Sequence, residues 1–331
     1  MITRLYQGRI SQRFWFIDTQ RNTVLEDELS SIYWLARGGS ALAGWTPRVA
    51  RHGLGSAGGG ASYLGWRSKR RVTQQNMAIV TGRSVNDPYV RHLAFASWRN
   101  YGRYAADFIN FANFDIAAIE LETRDMSQGA NCWQEYVERA LQPGRGVVIA
   151  TAHFGNWDIA GAILARHVPL FAVAETFPDE RLNHLLQNQR IQKGIGIIPM
   201  EGSARRILRV LQQNQSVAIV VDRPVEADQG VPVTFFGHKT YVPGGPAALA
   251  LKSGAAIMPG YVWYGHHRQF YLRAFPPIFP QERRGGDKAE EVARLTQCIY
   301  ASLEEMVREW PTQWYMFRSF WPTSPAEEAV K

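Results

Sequence analysis

The sequence predicts an α/β protein with a mostly parallel central sheet flanked by helices and with an N-terminal helical arm. Two observations carry this prediction. From residue 131 onward, short apolar runs alternate with helical patterns, and crossover helices of this kind usually connect parallel strands. Before residue 66 that alternation is missing, and glycine and small residues are frequent instead.

The individual elements follow from the spacing of their apolar residues. Helices are predicted for residues 67–82, 87–111, 131–141, 156–167, 180–193, 203–214 and 292–307. Strands are predicted for residues 146–152, 170–175, 196–200, 216–222, 231–236, 256–264 and 269–275, the last two joined through GHHR as a hairpin. We expect one α/β domain over residues 67–322, a C-terminal tail over 323–331 and a membrane-facing or flexible arm over 1–66.

The arm contains a glycine-rich stretch with weak periodicity, residues 38–66, for which we expect a mobile or interfacial segment with short helical pieces. Residues 53–58, GLGSAG, formally match the G-x-G-x-x-G pattern. No strand precedes them, and more glycines follow where a helix should begin, so a dinucleotide-binding loop is not indicated.

The positive charge is concentrated in the first third of the chain. Net charge is +8, and residues 1–111 hold 15 of the 37 basic residues but only 6 of the 29 acidic ones. This asymmetry indicates an anionic partner, which composition leaves open as nucleic acid, a phospholipid surface or an acidic carrier. The basic residues follow no known nucleic-acid-binding pattern, so we expect no nucleic-acid partner.

The helix predicted for residues 87–111 carries aromatic residues every three or four positions, with a flanking stripe of arginines. The aromatic residues are Phe95, Trp98, Tyr101, Tyr104 and Phe108. This pattern fits either a seam facing the protein core or a helix lying against lipid headgroups.

Neither a secretory signal nor a membrane-spanning segment is indicated, because no apolar run is long enough for either. The two cysteines, Cys132 and Cys298, are far apart and lack paired metal-ligand spacing. No metal site or disulfide is therefore predicted. We expect a protein that is soluble or lies on a membrane surface.

A candidate site lies where the apolar run GVVIATA ends and the next helix begins. His153 stands at this point, and Asp158 follows five residues later. Ligands of open α/β sheets collect beyond the carboxyl ends of strands. A carboxylate that fixes one ring nitrogen makes the imidazole a better base. Gly155 and Asn156 lie between them and allow close backbone approach and helix capping.

No protein nucleophile is evident, since the sequence has no G-x-S-x-G elbow, no Walker lysine loop and no reactive-cysteine context. A base at His153 would then activate a substrate hydroxyl or water. Direct attack by an alcohol on a thioester suits such a pair. A structural histidine with its hydrogen bonds satisfied is the alternative.

AHFGNWD, residues 152–158, resembles the H-x4-D/E signature of the bacterial lipid A biosynthesis (lauroyl/myristoyl) acyltransferases, in the lysophospholipid acyltransferase superfamily. The HxGNWD form is similar to that of the phosphatidylinositol mannoside acyltransferases. The likeness covers roughly residues 67–321. It includes RRVTQQNMAIVTG, VAETFPDERLNHLLQNQRIQKGIGIIP, VVDRPVEADQGVPVTFFG, VPGGPAALALKSGAAIMPG and TQWYMFRSFW.

The resemblance implies a glycerolipid acyltransferase-like fold and makes His153 the general base, with Asp158 as its orienting partner. It also implies that Glu175 and Arg190 line the site and that Asp222 and Arg223 lie at the sheet's carboxyl edge. There, a guanidinium could contact a phosphate or stabilise an oxyanion.

Gly245 is a further candidate, because it begins a predicted helix whose free backbone amides could bind a phosphate, although ordinary capping explains it equally well. Gly155 and Asn156 complete the group of substrate-binding candidates.

These features predict a peripheral enzyme at the cytoplasmic face of the inner membrane. It would move a fatty acyl chain from acyl-CoA or acyl carrier protein to a hydroxyl of a membrane glycolipid, lipid A-like molecule or phospholipid. We expect contact with an anionic membrane surface, no covalent intermediate, no metal and no other cofactor. A thioesterase or lipid hydrolase with the same His-Asp pair, and a non-catalytic basic binding protein, remain as alternatives.

Overall fold

The computed structural model describes residues 46–127, 132–266, 269–281 and 287–322, and the isolated residues 34, 37, 38 and 44. Within this part of the chain, the predicted α/β fold with a mostly parallel sheet is confirmed. The strands are β1 Arg124–Asp125, β2 Val147–Thr151, β3 Leu170–Ala174, β4 Ile195–Pro199, β5 Ser216–Val220, β6 Val231–Phe235, β7 His238–Val242, β8 Ala256–Tyr264 and β9 Phe270–Ala274.

Seven of these strands form one sheet in the order β1-β9-β8-β2-β5-β3-β4. Every neighbouring pair is parallel except β8 and β9, which form the predicted antiparallel hairpin. His267 and Arg268 of its turn lie outside the described residues. Strands β6 and β7 form a separate antiparallel pair.

The helices are α1 Arg48–Gly65, α2 Arg67–Thr81, α3 Pro88–Ile109, α4 Ile116–Glu122, α5 Trp133–Leu141, α6 Trp157–Ala165, α7 Glu180–Ile191, α8 Ser203–Gln212, α9 Gly245–Ser253 and α10 Lys288–Glu309. The helices predicted from residue 67 onward are confirmed with small shifts at their ends. Asp residues cap several of them; Asp87, for example, accepts a hydrogen bond from the Tyr89 amide.

The sheet has an apolar layer on each face, and β2 contributes to both because all five of its residues are buried. Val147 and Ile149 belong to the layer shared with α3, α5 and α6. Val148 and Ala150 belong to the opposite layer, shared with α8, α9 and α10. Successive residues of a strand point to opposite faces, which is why a central parallel strand has a continuous apolar sequence.

Residues 48–65 differ from the expectation of short helical pieces in a mobile segment. They form one continuous 18-residue helix, α1, and GLGSAG lies inside it. Its glycines allow contact with α3: a Cβ at Gly55 would lie 2.3 Å from the Gly102 carbonyl oxygen, and one at Gly59 would lie 2.1 Å from the Trp98 carbonyl oxygen. Close helix packing thus outweighs the low helix propensity of glycine. The division of the chain at residue 66 stays a prediction.

The aromatic residues of α3 form a core seam, the first of the two interpretations. Trp98 is buried and lies 4.4 Å from Phe317, measured between ring centroids. The Tyr104 ring lies 3.9 Å from that of Trp157 at the start of α6. Helix α3 therefore packs along the sheet edge at which the candidate site residues lie.

Candidate active site

Side chains that carry chemistry follow three adjacent strands of the sheet. His153 lies two residues after β2, Glu175 directly after β3, and Asp222 and Arg223 shortly after β5. Strands β2, β5 and β3 are neighbours and run parallel. Their carboxyl ends therefore meet at one edge, where parallel sheets bind ligands. The structure thus brings these four predicted residues to one edge of the sheet.

His153 is held by Asp222. The imidazole Nδ1 lies 2.8 Å from Asp222 Oδ1, and the His153 backbone amide donates to both carboxylate oxygens at 3.1 and 3.0 Å. The indole Nε1 of Trp314 donates to Asp222 Oδ2 at 3.0 Å. The side chain of His153 is 15% exposed, whereas that of Asp222 is fully buried. This arrangement fixes the ring and directs Nε2 away from the carboxylate.

Asp222 stays ionised in spite of its burial. Burial alone would raise the pKa of this carboxyl. The charge of His153 and the hydrogen bonds from the His153 ring, its amide and Trp314 outweigh that effect and hold the pKa below its ordinary value. A buried carboxylate of this kind stabilises the imidazolium that forms when His153 takes up a proton.

The turn after His153 is built by Gly155 and Asn156. Gly155 has φ +58°, and a Cβ there would lie 2.1 Å from the Val262 carbonyl oxygen, so only glycine fits. The Asn156 side chain accepts from the Ile159 amide at 3.1 Å and caps α6. Its Nδ2 donates to the Tyr264 hydroxyl at 3.1 Å. Both residues therefore shape the loop that presents His153.

Asp158 does not orient His153, contrary to the sequence-based expectation. Its Oδ1 accepts from Arg190 Nε at 2.6 Å, and its Oδ2 accepts from the Tyr104 hydroxyl at 2.7 Å. The physical reason is the sharp turn at Gly155, which sends the Asp158 side chain toward α3 and α7 and the His153 side chain toward β5. Asp222 occupies the position that the sequence assigned to Asp158.

Arg190 of α7 is the counter-ion of Asp158. Burial alone would lower the pKa of its guanidinium, but the Asp158 charge and hydrogen bond raise it above the ordinary value. The guanidinium also lies 4.8 Å from the centre of the Phe108 ring. This pair links α6 to α7 beside the site.

Glu175 and Arg223 form an ion pair at the rim of the site. Burial alone would raise the pKa of Glu175, but Arg223, His153 and Arg318 together hold it below its ordinary value. Burial and the charge of Arg223 lower the pKa of Arg318, and burial and the charge of Arg318 lower the pKa of Lys69. Three cations and one carboxylate therefore share this rim, which we call the basic rim.

Gly245 begins α9, as predicted. A Cβ on its neighbour Gly244 would contact Val231 and Val292. The role of Gly245 in phosphate binding stays a prediction.

An apolar cavity lies between α6 and the sheet. Its wall nearest His153 is formed by Thr151 and Trp157, and the Trp157 ring packs against the imidazole at 5.3 Å between centroids. Farther from His153, the cavity is lined by residues such as Ile149, Met258 and Leu272. The imidazole therefore contacts a residue that lines the cavity.

Several residues of the site carried no clear signal in the sequence. Tyr104 lies in an aromatic seam, and Trp314 and Arg318 lie in the C-terminal TQWYMFRSFW. The Tyr315 amide donates to the His153 carbonyl oxygen at 2.8 Å, and the Gly155 amide donates to the Gln313 carbonyl oxygen at the same distance. The signals available for this segment were its clustered aromatic residues and its place in the family likeness, and neither assigned a role to a particular residue.

A model of the family described as bacterial lipid A biosynthesis acyltransferase matches residues 22–323. The chain belongs to that family. The match begins at residue 22, whereas the likeness noted in the sequence begins only at about residue 67. Membership confirms that the chain is a lipid acyltransferase, as predicted, and so excludes the non-catalytic alternative.

The chain is similar to the phosphatidylinositol mannoside acyltransferase of Mycolicibacterium smegmatis, with 29% identity over 299 residues that cover 86% of this chain and 91% of the relative. It is also 29% identical to the enzyme of the same name from Mycobacterium tuberculosis over 270 residues, which cover 79% of this chain and 80% of the relative. Among solved structures, the 1-acyl-sn-glycerophosphate acyltransferase PlsC from Thermotoga maritima matches with a TM-score of 0.36 and 12% identity. That match covers 78% of this chain and 98% of PlsC.

Proposed function

We propose that this chain transfers a fatty acyl group from an acyl thioester to a hydroxyl of a membrane glycolipid, with His153 as general base and Asp222 as its orienting carboxylate. The acyl donor is acyl-CoA or acyl carrier protein. One observation carries the proposal: a histidine held by a buried carboxylate packs against Trp157, which lines an apolar cavity. The base is therefore adjacent to an apolar region that an acyl chain could enter.

The reaction follows from this geometry. His153 Nε2 takes the proton of the acceptor hydroxyl as its oxygen attacks the thioester carbon. The tetrahedral intermediate then collapses and expels the thiolate, which receives the proton from the imidazolium. Asp222 stabilises the positive charge of the ring between these two steps. No covalent bond to the protein is needed.

The basic rim supports an anionic group on one of the two substrates. Burial and the positive charge of Arg223 lower the pKa of Arg318, so the two guanidinium groups repel each other. A phosphate placed between them would relieve this repulsion and accept paired hydrogen bonds. Both a thioester donor with a phosphopantetheine arm and a phosphoinositide-type acceptor carry such a group.

Helix α1 supports association with a membrane surface. Its nine exposed residues are all glycine, alanine, valine or leucine: Val49, Ala50, Gly53, Leu54, Ala57, Gly58, Ala61, Leu64 and Gly65. Leu54 is 71% exposed and Leu64 is 64% exposed. Exposed basic residues follow at the start of α2, among them Arg67 and Arg71. An apolar face beside basic residues fits an anionic lipid surface.

No helix in the described ranges combines the length and the apolar character needed to cross a bilayer. We propose that the enzyme works at the cytoplasmic face of the inner membrane. The names of the mycobacterial relatives make a phosphatidylinositol mannoside the first acceptor to test.

The test is transfer of labelled palmitate from palmitoyl-CoA to a phosphatidylinositol mannoside in anionic vesicles. We compare the intact protein with His153→Ala and with a control, His92→Ala, which removes an exposed histidine of α3. Loss of the base should lower kcat by a factor of about a thousand or more. The control should retain full activity, because His92 lies on the solvent side of its helix.

Release of the label only as free palmitate would replace the transferase by a hydrolase that uses the same His153 and Asp222. Transfer that survives His153→Ala would contradict the assignment of the base. If phosphatidylinositol mannosides stay unlabelled while another membrane lipid is acylated, the transferase stands and the acceptor changes.

A further inference from the structure

A glycine forms part of the floor of the cavity, in the middle of the sheet. Gly260 of β8 pairs in register with Ala274 of β9, and the residue beside it on β2 is Thr151, as the pairing of Ala150 with Pro259 shows. All three residues line the cavity. Trp157, Ala160 and Leu164 of α6 lie on the opposite wall. The small residues thus form a shallow path across the strands, starting beside His153.

Gly260 is exposed to this cavity although it belongs to an interior strand. Every other residue of β8 is buried, and Gly260 alone is half-buried. Strands β2 and β9 cover both edges of β8, so the exposure of Gly260 comes from the open space in front of it.

Neither the backbone nor the packing requires glycine at this position. Its φ lies outside the left-handed region, and a Cβ built on it meets no atom within 4 Å. By contrast, a Cβ at Gly161 of α6, on the opposite side of the cavity, would lie 3.1 Å from the Ile195 side chain. Glycine inside a strand is destabilising by about 0.5–1 kcal/mol relative to alanine, and it often marks a place where a ligand approaches. The absence of a side chain at 260 keeps the cavity open.

We propose that Gly260 determines the length of the acyl chain that the enzyme accepts. This inference rests on the proposed acyl transfer. The acyl carbonyl lies near His153 and Thr151, and the chain runs over Gly260 toward Ala274 and Leu272. Neighbouring strands are about 5 Å apart, so a side chain at position 260 blocks the path after the first few methylene groups.

The test uses the intact protein with Gly260→Ala, Gly260→Val and Gly260→Leu. Each is offered butanoyl-, octanoyl- and palmitoyl-CoA with the acceptor, and the products are measured by mass spectrometry. We expect the preferred chain to become shorter as the side chain grows. Gly260→Leu should lower kcat/KM for palmitoyl-CoA by about 100-fold and change that for butanoyl-CoA by less than about threefold. Ala301→Leu is the control, because it also adds a leucine side chain but lies on the exposed face of α10, away from the cavity and from α1.

Thermal unfolding of each variant separates loss of the cavity from loss of the fold. Palmitoyl transfer by a folded Gly260→Leu at the unsubstituted rate would overturn the inference, and so would an equal loss for all three acyl chains. A second measurement needs no turnover. Saturable binding of the fluorescent fatty acid cis-parinaric acid should be retained in Ala301→Leu and lost in Gly260→Leu. If binding behaves this way while no chain is transferred, the proposed function fails and the assignment of Gly260 survives.

Discussion

In the part of the chain that the structure describes, two histidine–aspartate pairs look alike in isolation. His153 Nδ1 lies 2.8 Å from Asp222, and His52 Nε2 lies 2.7 Å from Asp107. Both imidazole side chains are 15% exposed, and the two carboxylate side chains are 0% and 1% exposed. Distance and burial therefore do not distinguish the pair that we propose to be catalytic from a structural one.

The surroundings distinguish them. The His153–Asp222 pair joins the carboxyl ends of two parallel strands and stands beside the apolar cavity. The His52–Asp107 pair joins α1 to α3 and is covered by Tyr264, whose ring lies edge-on to His52 at 5.7 Å. Tyr264 donates to Asp107 Oδ2 at 2.8 Å and accepts from Asn156. The second pair is therefore a brace for the loop that carries the first.

Exchanging Asp222 for asparagine should have the largest effect and should separate the pairs by activity. The asparagine side chain keeps the volume but cannot stabilise the imidazolium, and its amide can select the wrong ring tautomer. We expect kcat to fall about a thousandfold or more. The matched variant, Asp107→Asn, should lower kcat by less than about tenfold. Equal losses in the two variants would contradict the division into a catalytic and a bracing pair.

Acid unfolding gives a second measurement on the Asp222→Asn variant. The pKa of Asp222 is lowered in the folded protein, so its ionisation stabilises the fold above the ordinary aspartate pKa. That contribution is lost as the pH falls through the lowered value. Between neutral pH and pH 3, the free energy of unfolding should decrease less steeply in the variant than in the unsubstituted protein. A steeper decrease would show that Asp222 is not ionised in the fold.

Asp107→Asn should act mainly on stability. It removes the carboxylate to which both His52 and Tyr264 are hydrogen-bonded, and a buried polar group that loses its partner costs about 1–3 kcal/mol. Urea unfolding measures this loss. Because α1 then loses a tie to α3, exchange of α1 amide protons should accelerate more than that of β2. An unchanged free energy of unfolding would show that the His52–Asp107 pair does not stabilise the fold.

The glycine contact between α1 and α3 should have a smaller effect, and the chain provides its own control. A Cβ at Gly102 would lie 1.9 Å from the Gly55 carbonyl oxygen, so Gly102→Ala must separate the helices at a cost of about 2 kcal/mol. At Gly58 a Cβ meets nothing within 4 Å, and Gly58→Ala should stabilise the helix by about 0.5–1 kcal/mol. Thermal unfolding of the two variants should shift in opposite directions. Unfolding temperatures that shift in the same direction would mean that the packing of α1 against α3 does not depend on this glycine contact.

The elements from residue 133 onward could be predicted because their signals are local. Apolar runs bounded by polar residues gave β2, β3 and β5, and the position of His153 after a buried strand followed from them. The partner of His153 could not be predicted. Asp222 reaches His153 because β5 lies next to β2 in the sheet, and strand order depends on packing across many residues of sequence. Spacing favoured Asp158 only because it is near in the chain.

Helix α1 could not be predicted for the opposite reason, because its local signal is misleading. Glycine has a low helix propensity, and glycine-rich sequence usually indicates flexible segments. Gly55, Gly59 and Gly102 become favourable only when the two helices meet, since a larger side chain would clash with a carbonyl group. The sequence of α1 alone therefore does not indicate a helix, because its glycines are favourable only in contact with α3.

The hydrogen bonds that join Gln313 and Tyr315 to the His153 loop, and Trp314 to Asp222, have a consequence for biosynthesis. His153 and Asp222 leave the ribosome well before the segment that fixes them, because Trp314 supplies a donor to Asp222 and Tyr315 a donor to His153. A nascent chain that ends before residue 313 contains His153 and Asp222 but lacks the hydrogen bonds that hold them in position. If the proposed site is correct, we expect acyl-transfer activity to arise only after translation has passed the aromatic C-terminal segment.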